Sequence, residues 1–195
     1  IEDKIAFKVN GNIQEVTLQA YGQNVERIQG KNGLKIYQDL KLSNKKPYVI
    51  YDTVAVAGDL TIEAGTTIYM HEGAGIYAYG NVLAQGTKEQ PIIFRGDRTD
   101  KLFDSVPYRM ASGQWNGIYL LHAKEVFPPS KYQLDYVDIL SGSIGLYVYS
   151  ESTGAKLPKL TLNNSRIHNH SIYGLVLQNV DADVVNCEIS NCASY

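Results

Sequence analysis

Thr53–Phe94 reads TVAVAGDLTIEAGTTIYMHEGAGIYAYGNVLAQGTKEQPIIF, and it repeats itself. Val54 and Val56 recur as Ile76 and Ala78, and Leu60 and Ile62 recur as Val82 and Ala84, each 22 residues on. Ile68 and Met70 recur, two residues late, as Ile92 and Phe94. Within each pair the residues are two apart, so on a strand both face the same side. Gly58, Gly65, Gly73, Gly75, Gly80 and Gly86 stand between the pairs, where the chain has to turn. Short strands, tight turns and a fixed period predict an all-β, right-handed parallel β-helix of about five coils of ~22 residues.

The pattern runs on beyond Phe94. RGDRTDKLFDSVPYRMASGQ, residues 95–114, is charged and breaks the period, so it is expected as a loop insertion on a coil. Gly followed by Ile or Leu then recurs as Gly117-Ile118, Gly145-Leu146 and Gly174-Leu175, matching Gly75-Ile76. A second alignment sets Leu134–Ile139, Leu162–Ile167 and Val184–Ile189 in columns, with residues 151–158 as a loop between the first two. It stacks Asn164 on Asn186 and Asn169 on Asn191, whose amides can bond along the axis. Val137, Ser165 and Cys187 share a small inward column. Asp138, Arg166 and Glu188 share an outward one, an alternating-sign ladder at a spacing of about 4.8 Å. Cys187 reads as a small core residue, and its close spacing to Cys192 argues against a disulfide.

Before residue 48 the pattern differs. Ile5, Phe7 and Val9 alternate, Asn10-Gly11 follows, and Val16, Leu18 and Ala20 alternate again, which predicts a hairpin. Residues 1–25 are therefore expected to be the tail of a β-sandwich. Residues 26–47 are expected as a linker and N-terminal cap, with Leu34, Ile36, Leu40 and Leu42 over the open end of the helix spanning 48–195.

Composition excludes several classes. The chain has 195 residues, is 44% hydrophobic and carries a net charge of -2, so no nucleic-acid partner is implied. No apolar run is long enough for a membrane span. Two cysteines make neither a disulfide framework nor a metal site, and no cofactor is expected.

IAFKVNGNIQEVTLQAYGQ, KPYVIYD, EAGTTIYMHEGAGIYAYG, LAQGTKEQPIIFRGDR and GQWNGIYL together resemble the right-handed parallel β-helix surface lipoproteins of gut anaerobes. In that family a lipidated amino terminus leads into an immunoglobulin-like sandwich and then a β-helix. The resemblance implies an extracellular or outer-surface location, lipid anchoring through a preceding segment, and a chain that is a fragment of a longer protein. It implies no reaction, and oligomeric state stays open.

Two chemistries compete. Parallel β-helices include polysaccharide lyases and glycoside hydrolases, which need converging carboxylates. Asp135 with Asp138, and Asp181 with Asp183, are the nearest pairs. The Asn-Thr-Asp, Asp-Asp and Gly-His-Gly signatures of polygalacturonases are absent, and no catalytic residue is assigned. His168 and His170 sit two apart but lack a third ligand, so solvated turn histidines are the simpler reading; His71 and His122 show no companion. Arg95-Gly96-Asp97 spells an adhesion tripeptide, but its charges read more simply as ties for the loop.

The aromatic pattern is the stronger lead. With each Gly-Ile/Leu aliphatic inward, the next outward residues are Tyr77, Tyr119, Tyr147 and Val176, then Tyr79, Leu121, Tyr149 and Gln178. Such a stripe presents apolar rings and hydroxyls together, as glycan-binding faces do. Tyr77, Tyr79, Tyr119, Tyr147 and Tyr149 are thus candidate ligand-binding residues for a glycan or a surface protein. A covered structural face, in a module that acts only as a spacer, is the plain alternative.

Overall fold

A computed structural model describes residues 2–19, 24–103, 105–123, 128–152 and 156–194. Ala20 of the hairpin pattern, residue 104 of the expected 95–114 loop and residues 153–155 of the expected 151–158 loop lie outside them.

The hairpin forms as its sequence requires. Strands β1 (Glu2–Val9) and β2 (Asn12–Gln19) pair antiparallel, with Ile5 opposite Val16 and Phe7 opposite Gln14. Asn10 and Gly11 both take positive φ, 51° and 84°, the turn whose twist matches two flanking strands. The hairpin is a separate two-stranded sheet.

The rest of the chain winds in threes. β3 (Glu26–Ile28), β4 (Leu34–Tyr37) and β5 (Leu40–Leu42) are followed by β6 (Tyr48–Ile50), β7 (Thr53–Val56) and β8 (Leu60–Ile62). β9 (Thr67–Met70), β10 (Gly75–Ala78) and β11 (Val82–Gln85) come next. β12 (Ile92–Gly96) leads into an excursion holding β13 (Lys101–Phe103) and β14 (Val106–Pro107). The round then closes with β15 (Gly117–His122) and β16 (Lys131–Asp135). β17 (Val137–Leu140), β18 (Ile144–Ser150) and β19 (Lys159–Asn163) form another round. β20 (Arg166–Gln178), β21 (Asp181–Val185) and β22 (Glu188–Ser194) complete the described chain.

Apart from β13 and β14, which pair antiparallel with each other, each strand pairs in parallel with its counterpart in the next round, giving an all-β, solenoid-like stack of three faces. The first face runs β3-β6-β9-β12-β17-β20-β22, the second β4-β7-β10-β15-β18-β20, and the third β5-β8-β11-β16-β19-β21. β20 is long enough to serve two faces. Its beginning pairs with β17 and its end with β18, bending at Asn169, whose φ is 60°. Inward residues of all three faces make one core, from Ile28, Leu40 and Leu42 through Ile68, Ile76 and Leu120 to Leu146, Leu160 and Ile167. Full burial of each such side chain stabilises by about 1.5–3 kcal/mol.

Three expectations are corrected here. Residues 26–47 are not merely a linker: β3, β4 and β5 lie in register under β6, β7 and β8 and form a further round. Leu40 and Leu42 are buried as expected, but Leu34 and Ile36 are 42% and 65% exposed. Register aligns Lys35 with Val54 and Tyr37 with Val56, so strand alternation turns Leu34 and Ile36 outward. Ile68 and Met70 align with Phe94 and Gly96, not with Ile92 and Phe94. A two-residue shift preserves which side chains face inward, so alternation alone could not detect it.

The other apolar columns stand as read. Val54 pairs Ile76, Leu60 pairs Val82, Leu134 pairs Leu162, and Gly117-Ile118 meets Gly145-Leu146 through Ile118 and Leu146. At Gly145 a Cβ would come within 2.4 Å of both the Gly174 carbonyl oxygen and Ile167 Cγ2, so this corner closes only with glycine. Trp115 is buried at a neighbouring corner and donates its indole N–H to the Leu140 carbonyl at 3.0 Å.

Candidate functional site

The tyrosines fall where the pattern put them. Tyr77, Tyr119 and Tyr147 are in register on β10, β15 and β18, half-buried on the outer side of the second face. Their geometry changes what they can do. Tyr77 and Tyr119 stack on each other, ring centroids 4.4 Å apart and planes 4° from parallel. Tyr119 and Tyr147 meet at 5.8 Å, tilted. Rings stacked this way give their flat faces to each other and leave edges and hydroxyls to solvent. Burial pushes the Tyr119 phenol up to about 12, with the Tyr77 hydroxyl beside it adding to the effect. Tyr147 Oη donates to Gln178 Oε1 at 3.4 Å.

The second tyrosine column is different. Leu121 is in register with Tyr149, and Tyr79 follows the last residue of β10. Between Tyr79 and Tyr149, over the shorter Leu121, lies an open cleft of about 120 Å³, lined also by His122, Ala123 and Glu151. Tyr149 is steadied by Tyr147 at 6.4 Å, while Tyr79 is exposed. A leucine between two tyrosines opens the slot that a third stacked ring would fill.

Under the slot the core is polar. His122 is buried, and its Nδ1 bonds Ser130 Oγ at 3.0 Å. Among the described residues its Nε2 and the hydroxyl of buried Tyr132 have no hydrogen-bond partner. Burial lowers the His122 pKa and pushes Tyr132 up to about 12. His122 thus has a companion that sequence spacing concealed, since Ser130 stands just before the next strand of the round.

His71 also has a companion. Its Nδ1 lies 2.6 Å from Asp97 Oδ2, and its ring meets Tyr51 at 4.9 Å. Both His71 and Asp97 line a cleft of about 230 Å³ with Glu72, Arg98, Tyr108 and Gln114. The excursion after Gly96 builds that wall: Arg98 pairs with Asp100 and lies 3.7 Å from the Tyr108 ring centroid. Arg95 and Gly96 belong to β12, and Arg95 donates to the Gly96 and Arg98 carbonyls. All three residues of the tripeptide are therefore engaged in the fold, which accords with the tying role.

The histidine pair at 168 and 170 is not solvated. His168 Nε2 bonds Asp138 Oδ1 at 3.0 Å; His170 is buried, its Nε2 against the Ile139 carbonyl at 3.1 Å. Asn169 between them turns the backbone, so they serve opposite environments. Among the described residues no group of three or more His, Cys, Asp or Glu is placed to hold a metal ion.

Of the carboxylate pairs read from the sequence, Asp135 and Asp138 stand on different faces, while Asp181 and Asp183 converge on a lysine. Asp135 ends β16 on the third face and accepts from Asn164 at 2.8 Å. Asp138 lies on β17 of the first face and is bound by Arg166 and His168. Burial works against the Asp138 charge, but the His168 and Arg166 donors outweigh it and hold the carboxyl below its usual range. Asp181 and Asp183 share Lys159 at the surface. Glu63 and Asp100 are likewise held below their usual range by Lys41 and Arg98. For these three carboxyls the direction is opposite to the one a general acid needs.

The turn columns are partly as expected. Asn186 Nδ2 donates to Asn164 Oδ1 at 2.6 Å, and both residues take positive φ. Asn169 instead donates to Met110 Sδ at 3.7 Å. The charge ladder is half formed: Arg166 pairs with Asp138, while Glu188 accepts from the Ser190 hydroxyl. Val137 and Ser165 are buried as expected, but Cys187 is only half-buried; it and Cys192 are both free thiols. Comparison with protein-family models, with curated proteins and with solved structures finds no match.

Proposed function

We propose that the stack is a right-handed parallel β-helix and that the chain is a non-catalytic secreted or cell-surface module of the lipoprotein kind its motifs resemble. In this proposal it binds glycan through the tyrosine face, with Tyr79 and Tyr149 as the walls and Leu121 as the floor. The slot between those two tyrosines carries the proposal, because it is where the ring column is interrupted and an apolar ligand face can enter beside hydroxyls. Tyr77, Tyr119 and Tyr147 then act mainly as a rigid backing that presents hydroxyls along the same face. Ligand sites of this kind join apolar walls to a few polar groups.

The mutual stacking of Tyr77 and Tyr119 favours a second reading, in which the ladder is structural and the module a spacer. One experiment separates the two. A panel of soluble polysaccharides is run by affinity electrophoresis against the parent, Tyr79→Ala/Tyr149→Ala and Tyr119→Ala, with new reducing or unsaturated chain ends assayed in parallel. Glycan binding predicts retardation of the parent that weakens tenfold or more in the double variant, and no new ends. Retardation by no polysaccharide supports the spacer, and new ends from the parent refute the non-catalytic assignment.

A further inference from the structure

The turn from the third face to the first is a column of left-handed residues. The Tyr136 N–H donates to the Asn163 carbonyl and the Asn164 N–H to that of Val185, which sets Tyr136, Asn164 and Asn186 over one another in successive rounds. Their φ values are 48°, 50° and 53°. Asparagine tolerates this backbone, whereas a bulky aromatic seldom adopts it. Asparagine here also bonds along the axis, as Asn186 does to Asn164. Tyr136 interrupts that ladder, and Asn164 gives its Nδ2 to Asp135 instead. A side chain kept against its backbone preference at one round of a repeat points to a task for that side chain.

Tyr136 lines an open cleft of about 180 Å³ with Lys88, Pro91, Asp138, Asn164 and Arg166. The cleft shares no residue with the slot between Tyr79 and Tyr149. Its charges do not balance. Asp138 is already bound by both Arg166 and His168. Arg166 uses Nη2 for that contact, yet its side chain is 59% exposed and its guanidinium has further N–H donors to offer. Glu188, in register with Arg166 on the next round, accepts from Ser190. Lys88 is exposed, and among the described residues its ammonium has no ion-pair partner. The cleft thus joins an aromatic ring, a proline and two cations around one carboxylate that is already satisfied.

We propose that this cleft binds a single sugar ring carrying an anionic oxygen group, a carboxylate or a sulfate ester. The anionic group sits between Lys88 and Arg166, whose planar fork suits paired oxygens. The apolar side of the sugar ring covers Tyr136 and Pro91. Lys88 supplies the net positive charge that selects an acidic ligand over a neutral one. Tyr136 stands where asparagine would suit the backbone better because asparagine offers no such platform. The site lies at a corner, apart from the tyrosine face, and does not depend on what that face binds.

The test is an amide NMR titration of the isotopically labelled chain with glucuronic acid, glucose sulfate and glucose. Melting temperatures are measured alongside for the parent, Lys88→Gln and Tyr136→Asn. The expected result is saturable shifts around Lys88, Tyr136 and Arg166 with one or both acidic sugars and none with glucose; which acid binds identifies the source of the charge. Lys88→Gln should weaken binding by about tenfold and leave the melting temperature unchanged. Tyr136→Asn should lose binding yet melt at or above the parent, since asparagine suits the left-handed backbone and extends the ladder from Asn164. Equal shifts with glucose, or no shift with any of the three sugars, would overturn the proposal. So would a Tyr136→Asn variant that melts well below the parent, by showing that the ring is kept for packing.

Discussion

Acid should loosen this protein chiefly through one buried imidazole. His170 lies against the Ile139 carbonyl, with the Trp115 ring edge-on at 6.5 Å. Burial pushes its pKa from 6.5 down to about 4, outweighing the nearby Ile139 and Gly142 carbonyls, which favour the charged ring. The fold therefore holds the neutral form. Its contribution is complete above pH 6.5, where the unfolded chain is also neutral, and is lost as pH falls from there towards 4. Each pH unit across that window removes about 1.4 kcal/mol, so the full loss is about 3 kcal/mol, of which about 2 kcal/mol is reached by pH 5. Urea denaturation of the parent and of His170→Gln at pH 7 and pH 5 would measure it. Glutamine can still donate to the Ile139 carbonyl but does not titrate, so the variant should lose much less stability between the two pH values. Some slope should remain from His122, whose pKa is also lowered. Carboxyl titration falls mainly below about pH 5 and so contributes little between the two measured pH values. An NMR titration placing His170 near 6.5, or a His170→Gln variant with the slope of the parent, would refute the reasoning.

Position in the stack should govern the effect of other changes. Leu162→Ala should cost about 2–5 kcal/mol in urea denaturation, whereas Val184→Ala in the same column should cost under about 1 kcal/mol, because the column is open there. Gly145→Ala should cost about 2 kcal/mol or more, read as a fall in melting temperature, since its Cβ would press on the Gly174 carbonyl oxygen and Ile167. Asp138→Asn should destabilise by about 1–3 kcal/mol at pH 7 and should leave the difference from the parent smaller in acid, where the parent's own carboxyl is protonated. Equal melting of the asparagine variant and the parent at pH 7 would show that the Arg166 and His168 contacts contribute nothing net.

Alternation and period decide a great deal on their own. A 22-residue repeat of apolar pairs two apart points to parallel strands stacked round on round, because that arrangement gathers the pairs into one core, and Asn10-Gly11 between alternating runs points to a hairpin through local backbone geometry. The outward tyrosine columns follow from the same parity. What alternation does not carry is any shift by an even number of residues, which is why Phe94 and Gly96, not Ile92 and Phe94, lie over Ile68 and Met70. The round at residues 26–42 is hidden in the sequence because its inward positions include Glu26 and Lys35, which conceal the apolar columns they end. Only the tertiary structure decided that Tyr77 and Tyr119 stack on each other, that Leu121 leaves a slot between Tyr79 and Tyr149, and that His71 finds Asp97 while His122 finds Ser130. Those pairings join residues from different rounds or corners, and their distances are set by ring tilt, loop length and register, none of which a one-dimensional pattern records.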